Sequence, residues 1–258
     1  MKQIYSIEWL IQKVNTGELI DYLFFWGHTN KQNKAAGKFC FSQWYPSPFI
    51  VEGIEYKTAE HWMMARKALL FGDTASFEKI ISSNEPAMVK KLGRTVTGFD
   101  EEAWNEKRYG IVRLGNIHKF NQHPAFANYL LNTGAKVMVE ASPADAIWGI
   151  GLSQEGKDAN NPYAWRGLNL LGFALMEVRE FLAAFGHFSE IEKPFLLPWK
   201  KYPGISPLDL FWRMGKGEEL ITDFSKFYSA LSSREKAIIA LTNPAPPEWN
   251  EFYEYESF

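Results

Sequence analysis

Residues 57–73, KTAEHWMMARKALLFGD, form the stretch from which the fold can be worked outward. Its apolar spacing predicts an amphipathic helix that ends at the glycine. At 100° per residue, one face of roughly 60° carries Glu60, Met64, Lys67 and Phe71. Two interpretations of the charged pair stay open: an exposed ion pair of little energetic value, or a half-buried carboxylate and amine that face a pocket. In the second case, burial lowers the lysine pKa and makes the amine a nucleophile.

Strand patterns flank this helix on both sides. The predicted strands are LIDYLFFWG (19–27), KFCFSQW (38–44), a hairpin PFIVEGIEYKT (48–58) that turns at Glu52-Gly53, and AKVMVEA (135–141). These short runs are rich in β-branched and aromatic residues, and Gly, Pro or polar loop residues bound them. The sequence therefore predicts a small sheet, which we expect to be antiparallel.

Helical periodicity covers most of the remaining chain. A first helix is predicted for residues 6–16, with Ser6 as N-cap, and helices are predicted across residues 58–131 with breaks at GDT, SSNEP and GRTVTGFD. Further helices are predicted for LNLLGFALMEVREFLAAF (168–185) and for two segments within 208–241. The predicted class is α+β, mainly helical. We expect an N-terminal helix (1–21), a main domain (22–186), and a Pro-rich connector with a helical C-terminal extension and an acidic aromatic end (187–258).

Composition limits the function classes. The chain has 258 residues, 46% hydrophobic and 22% charged, as expected of a globular protein that can bury a core. Its net charge of −2 lacks the basic excess of a non-specific nucleic-acid binder. The single cysteine, Cys40, cannot form an intramolecular disulfide. The first residues lack the apolar run of a signal peptide, and no apolar run in the sequence reaches the roughly 20 residues of a membrane span. We therefore expect a cytoplasmic protein without a membrane partner.

A long loop provides a second carboxylate. In ADAIWGIG (144–151), Asp145 precedes Trp148 by three residues, and Gly149 and Gly151 permit close backbone approach to a ligand. The whole loop, SPADAIWGIGLSQEGKDANNPYAWRG, spans residues 142–167. A loop of this length in a compact domain is usually functional or disordered. Together with Glu60, Asp145 supplies the minimum for acid and base cleavage of a glycosidic bond, although spacing alone is a weak signal.

Six short blocks occur in the order seen in the NADAR family. They are FSQWYPSPF (41–49), YKTAEHWMMARKALLF (56–71), LGR (92–94), AWNEKRYGIV (103–112), ADAIWGIG (144–151) and GLNLLGFALMEVR (167–179). The chain thus resembles this family, which includes YbiA-like N-glycosidases. The resemblance implies hydrolysis of the N-glycosidic bond of ribosylaminopyrimidine phosphates, which are intermediates of riboflavin biosynthesis. As an alternative it implies ADP-ribose chemistry: a hydrolase that removes ADP-ribose from guanine in DNA or nucleotides, or a non-catalytic ADP-ribose-binding module.

The resemblance also assigns site residues. By motif match, the predicted catalytic residues are Glu60, Lys67 and Asp145, and the predicted substrate-binding residues are Trp44, Arg94, Trp104, Trp148 and Asn169. Arg94 could bind phosphate or simply neutralise a helix C-terminus. Two blocks depart from the family: Ser42-Gln43-Trp44 stands where relatives read SNF, and Leu170 stands where many have arginine in GxNRLG.

No cofactor or metal is expected, because the sequence has no P-loop, GxGxxG, HExxH or CxxC motif. The expected partner is a small ribosylamine phosphate or an ADP-ribosylated base, which ADP-ribosylated DNA could carry. Two mechanisms stay open. An unprotonated Lys67 captures the sugar C1 as an imine while Glu60 shuttles protons, or Glu60 and Asp145 share the acid and base roles through an oxocarbenium-like state.

Overall fold

A computed structural model describes residues 3–189, 191–243, 245–249 and 251–253. The chain divides into two compact units, Met1–His187 and Phe188–Phe258. The helices of the first unit are α1 (Ile7–Asn15), α2 (Ala59–Leu70), α3 (Thr74–Ser82), α4 (Pro86–Arg94), α5 (Glu101–Gln122), α6 (Pro124–Leu131) and α7 (Leu170–Phe185). Its strands are β1 (Tyr22–Phe25), β2 (Phe49–Val51), β3 (Ile54–Tyr56) and β4 (Val137–Glu140). This architecture confirms the α+β, mainly helical class.

Capping side chains set the predicted helix ends. The Ser6 hydroxyl accepts the Trp9 N–H at the start of α1, and the Thr58 hydroxyl accepts the His61 N–H at the start of α2. Each satisfies a backbone donor that has no partner within its helix. Pro124 begins α6, a break within the predicted helical region that the sequence interpretation missed.

The strands form two pairs rather than one antiparallel sheet. β2 and β3 form the predicted antiparallel hairpin, with Glu52 and Gly53 at positive φ angles of 53° and 79°. β1 pairs with β4 in parallel, and Phe25 lies opposite Glu140. The expectation that the sheet is antiparallel is wrong for this pair. The helical segment α2–α6 separates the two strands, and a crossover of that kind returns the chain in the same direction.

The segment KFCFSQW is not a strand. Residues Lys38–Phe41 form a 3-10 helix in which Cys40 and Phe41 are both fully buried. The Cys40 N–H donates to the Gly37 carbonyl at 2.9 Å and the Ser42 N–H to the Phe39 carbonyl at 3.2 Å, the three-residue spacing of a 3-10 turn. The prediction of a strand here is therefore wrong.

Helix α2 lies at the centre of the first unit and packs against α3, α4 and α5. Glycines allow two of these contacts to be close. A Cβ atom at Gly93 of α4 would lie 1.9 Å from Met64 Sδ, and one at Gly115 of α5 would lie 2.3 Å from Trp62 Cδ1. The position of α4 beside α2 determines what the charged face of α2 can contact.

The second unit has its own apolar clusters. Its helices are α8 (Pro198–Lys201), α9 (Gly215–Ser229) and α10 (Ser233–Thr242). One cluster contains Phe224 and Ile239, and another contains Trp212 and Trp249. Of the predicted acidic aromatic end, residues 244, 250 and 254–258 lie outside the described residues. No helix of the described chain is both long and apolar enough to cross a membrane.

Candidate active site

Glu60 is a buried carboxyl group in the first turn of α2. Its residue surface is 3% exposed, and its Oε1 atom is buried without a hydrogen-bond partner. The Glu60 N–H donates to the Gln43 carbonyl at 2.9 Å, which fixes the backbone there. Burial raises the Glu60 pKa to about 7, the range in which a carboxyl group can both take up and release a proton near neutral pH.

Charged and aromatic groups from other elements surround this carboxyl. Lys90 of α4 lowers the Glu60 pKa most, weak hydrogen bonding from Trp44 lowers it further, Asp145 raises it, and Arg94 lowers it. The Lys90 ammonium also lies 5.8 Å from the Trp44 ring centroid. The structure thus brings four of the predicted site residues together, Glu60, Trp44, Arg94 and Asp145, and places Lys90 beside them.

Backbone hydrogen bonds hold the Asp145 carboxylate. Its Oδ1 accepts the N–H groups of Ile147 at 2.9 Å and Trp148 at 2.7 Å. The Gly151 N–H donates to the Asp145 carbonyl at 3.1 Å and closes the turn. The two N–H donors fix the position of this carboxyl group within the loop.

The loop that carries Asp145 is clamped onto its neighbours. The Ile150 N–H donates to the Glu140 carbonyl at 2.9 Å, and the Leu171 N–H of α7 donates to the Trp148 carbonyl at 3.1 Å. A Cβ atom at Gly149 would lie 2.8 Å from the Glu140 oxygen. The absence of a side chain at Gly149 therefore serves packing of the loop on β4, whereas the sequence suggested approach to a ligand.

Glu140, at the end of β4, is a third carboxyl group that the sequence interpretation missed. Burial, together with the neighbouring Asp145 and Glu60 carboxyls and against the Lys90 cation, raises its pKa to about 8. The Glu140 Oε2 atom is buried without a hydrogen-bond partner. The available signal was a glutamate that ends an apolar strand immediately before the Asp145 loop.

Lys90 was also missed. It precedes Arg94 by four residues on α4, a spacing that puts both cations on one helix face. Lys90 is half-buried and Arg94 is exposed. This pair provides the local positive charge that a phosphate group requires.

Lys67 lies in a different environment. Its surface is 9% exposed, and its Nζ donates to the Gly93 carbonyl at 2.8 Å. The ammonium lies 4.1 Å from the Phe99 ring centroid and 5.4 Å from that of Trp104. Burial lowers its pKa. The interpretation of Glu60 and Lys67 as an exposed ion pair is wrong, because both groups are buried and each has other neighbours.

The other predicted binding residues divide between these surroundings. Trp104, half-buried at the start of α5, lies beside Lys67, while Trp148 is half-buried in the Asp145 loop. Asn169 is fully buried with φ of 51°; its Oδ1 accepts the Glu140 N–H at 3.0 Å, and its Nδ2 donates to the Met138 carbonyl at 2.9 Å. The Asn169 amide therefore anchors β4 beside Glu140, and its assignment to substrate binding rests on family resemblance alone.

Gln43 replaces the family asparagine without pointing its amide at Glu60. Its Nε2 donates to Asn116 Oδ1 at 3.2 Å, and both residues are buried. The longer side chain thus ties the segment before β2 to α5.

A surface cavity of about 340 Å³ lies apart from the carboxyl groups. Its lining residues are Thr29, Asn30, Lys31, Gln32, Lys34, Gly37, Lys38, Phe39 and Tyr129. It contains three lysines and no acidic residue. His28, which precedes the lining residue Thr29 in the sequence, has its ring 5.9 Å from the Trp44 ring.

Comparison with known proteins identifies the class. The family model described as the NADAR domain matches residues 24–183, so the chain belongs to the NADAR family, which confirms the resemblance in its motifs. A relative named N-glycosidase R617, from Acanthamoeba polyphaga mimivirus, is 44% identical over 164 residues, covering 62% of this chain and 95% of the relative. N-glycosidase Npun_R5314 from Nostoc punctiforme is 32% identical over 141 residues, covering 55% of this chain and 83% of its own. N-glycosidase YbiA from Escherichia coli K12 is 32% identical over 143 residues, covering 55% of this chain and 81% of its own.

Proposed function

We propose that the protein is an N-glycosidase, a hydrolase of N-glycosyl bonds in ribosylated bases. The observation that carries this proposal is Glu60, a buried carboxyl with a pKa of about 7, an unpartnered oxygen, and the fixed carboxylate of Asp145 nearby. Cleavage of such a bond needs one group that moves protons near neutral pH and one that stabilises positive charge on the sugar. The relatives named N-glycosidases support the same reaction.

The contacts of Lys67 favour direct hydrolysis by water over a mechanism in which this lysine forms an imine with the sugar. Glu60 takes the proton of the attacking water, the C1–N bond breaks, and Asp145 stabilises the oxocarbenium-like state. Lys67 is engaged by the Gly93 carbonyl and two aromatic rings, and it lies about 10 Å along α2 from Glu60 at 1.5 Å per residue. The lowered Lys67 pKa keeps the imine route testable, because a neutral amine is what that route requires.

The favoured substrate class is the ribosylaminopyrimidine phosphates of riboflavin biosynthesis. Lys90 and Arg94, which face Glu60, suit the single phosphate of such a substrate. A cytoplasmic location belongs to the same proposal.

The second candidate is removal of ADP-ribose from guanine, in nucleotides or DNA. The basic cavity with Lys31, Lys34 and Lys38 favours it, since additional phosphates require additional local positive charge. A non-catalytic ADP-ribose-binding module would use the same aromatic residues for stacking without releasing product.

One assay separates these candidates. Purified protein is incubated with a ribosylaminopyrimidine phosphate and, separately, with an ADP-ribosylated guanine nucleotide, and free base and sugar phosphate are measured by mass spectrometry. We expect base release from the first substrate, faster than from the second. Binding of ADP-ribose without release of base from either substrate would contradict the enzyme proposal and support the module.

A further inference from the structure

Glu140 lies where a second proton-carrying group would be needed, at the carboxyl end of β4. Its backbone is fixed on both sides, because its N–H donates to Asn169 and its carbonyl accepts from Ile150. The side chain ends in an oxygen that is buried and has no hydrogen-bond partner. A buried carboxyl oxygen without a partner is costly, so its retention calls for a ligand or a chemical role.

Three charged groups face Glu140 from different elements: Asp145 from the loop, Glu60 from α2 and Lys90 from α4. Three carboxyl groups near one another do not all ionise readily, because like charges disfavour ionisation. Two backbone N–H donors already satisfy the Asp145 carboxyl group. Glu60 and Glu140, each with an unpartnered buried oxygen, remain to carry protons.

We propose that Glu140 is a further catalytic residue, the carboxylic acid that protonates the departing base. This inference rests on the proposed N-glycosidase function and assigns opposite roles to the two glutamates. Burial and its acidic neighbours raise the Glu140 pKa to about 8, whereas that of Glu60 is about 7. Among the charged groups around Glu140 the carboxyls of Asp145 and Glu60 act most strongly, which favours its protonated form, whereas the Lys90 cation is the strongest charged neighbour of Glu60 and favours its carboxylate form.

The resulting step is balanced. Water loses a proton to the Glu60 carboxylate, and its oxygen bonds to C1. The C1–N bond breaks with its electron pair going to nitrogen, and this nitrogen takes the proton from Glu140. The products are the free base and the sugar with a C1 hydroxyl. Transfer of one proton from Glu60 to Glu140 then restores the starting state, so that water is the only reagent consumed.

The test compares wild type and Glu140→Gln on two substrates. One is the ribosylaminopyrimidine phosphate, whose leaving nitrogen needs a proton. The other is a nitrophenyl riboside that carries the same phosphate, and its nitrophenolate leaves C1 without taking up a proton. We expect kcat of Glu140→Gln to fall roughly a hundredfold or more on the first substrate and only several-fold on the second, the usual range for loss of a general acid. Glu55→Gln, at an exposed position of β3, is the matched control. Equal losses on both substrates, or unchanged turnover of the first, would overturn the assignment.

A second measurement does not depend on activity. Infrared spectra at pH 7.5 should contain the band of a buried protonated carboxyl in wild type and in Glu55→Gln, and this band should lose most of its intensity in Glu140→Gln. Loss of the band only in Glu60→Gln, or its absence from wild type, would refute the proposal. If wild type hydrolyses neither substrate but the band behaves as expected, the proposed function fails while the proton on Glu140 stands.

Discussion

The two ends of α2 carry opposite charges in opposite situations. Glu60, in the first turn, has a buried oxygen without a partner and is surrounded by groups from β4, α4 and the Asp145 loop. Lys67, in the last turn, has a carbonyl acceptor and two aromatic rings. The first end is incomplete in its hydrogen bonding, whereas the second is satisfied within the protein. Residues that share one helix face, such as Glu60 and Lys67, therefore need not share one chemical role.

The largest expected effect follows substitution at the incomplete end. Glu60→Gln keeps shape and removes the titratable group, so kcat should fall by roughly a hundredfold to ten-thousandfold. The melting temperature at neutral pH should stay unchanged or rise, because the buried charge is removed. Steady-state kinetics and thermal denaturation measure both, with Glu55→Gln as control. Turnover within a few-fold of wild type would exclude Glu60 as the proton carrier.

A moderate effect is expected from Lys90→Met. Removing this cation should weaken phosphate binding and raise KM by about tenfold, the value of one charged contact. It should also shift the acidic limb of the pH–rate profile to higher pH, since Lys90 lowers the Glu60 pKa. Lys91→Met, at an exposed neighbour on α4, is the matched control. A profile that does not move in Lys90→Met would contradict the described electrostatics.

A smaller effect is expected from substitution at the satisfied end. Lys67→Arg keeps the positive charge beside Phe99 and Trp104 but cannot form an imine. We expect kcat to stay within about fivefold of wild type, because direct hydrolysis makes no bond to this amine. Complete loss of turnover in a folded Lys67→Arg protein would favour the imine route.

The smallest effect concerns stability. The folded-state pKa values of Glu60 and Glu140, about 7 and about 8, lie above the ordinary 4.5, so the folded protein binds more protons between these limits. The stability that these groups confer is present at low pH and is lost as pH rises through 7 and 8. A Glu60→Gln, Glu140→Gln double variant should melt close to wild type at pH 5 and several degrees higher at pH 8. A constant difference between the two pH values would contradict the raised pKa values.

Local signals predicted much of the fold, and tertiary contacts decided the rest. Ser6, Thr58 and the Glu52-Gly53 turn act within a few residues, so the helix starts and the hairpin were predictable. The β1–β4 pairing and the 3-10 helix around Cys40 depend on the core, where local preference yields to burial. In the site, Glu60 and Asp145 could be proposed from motifs. Glu140 and Lys90 were missed, because their role arises only where the fold brings their charges near Glu60.

Borohydride trapping tests most directly whether the chemistry belongs to the Glu60 end of α2. Sodium borohydride is added while wild-type protein hydrolyses the ribosylaminopyrimidine phosphate. The intact mass of the protein and the mass of the peptide that contains Lys67 are then measured. An imine between Lys67 and C1 would be reduced to a stable amine. We predict continued release of base and no gain in protein mass. A gain of one sugar-phosphate unit on Lys67 would contradict direct hydrolysis and make the lysine the nucleophile.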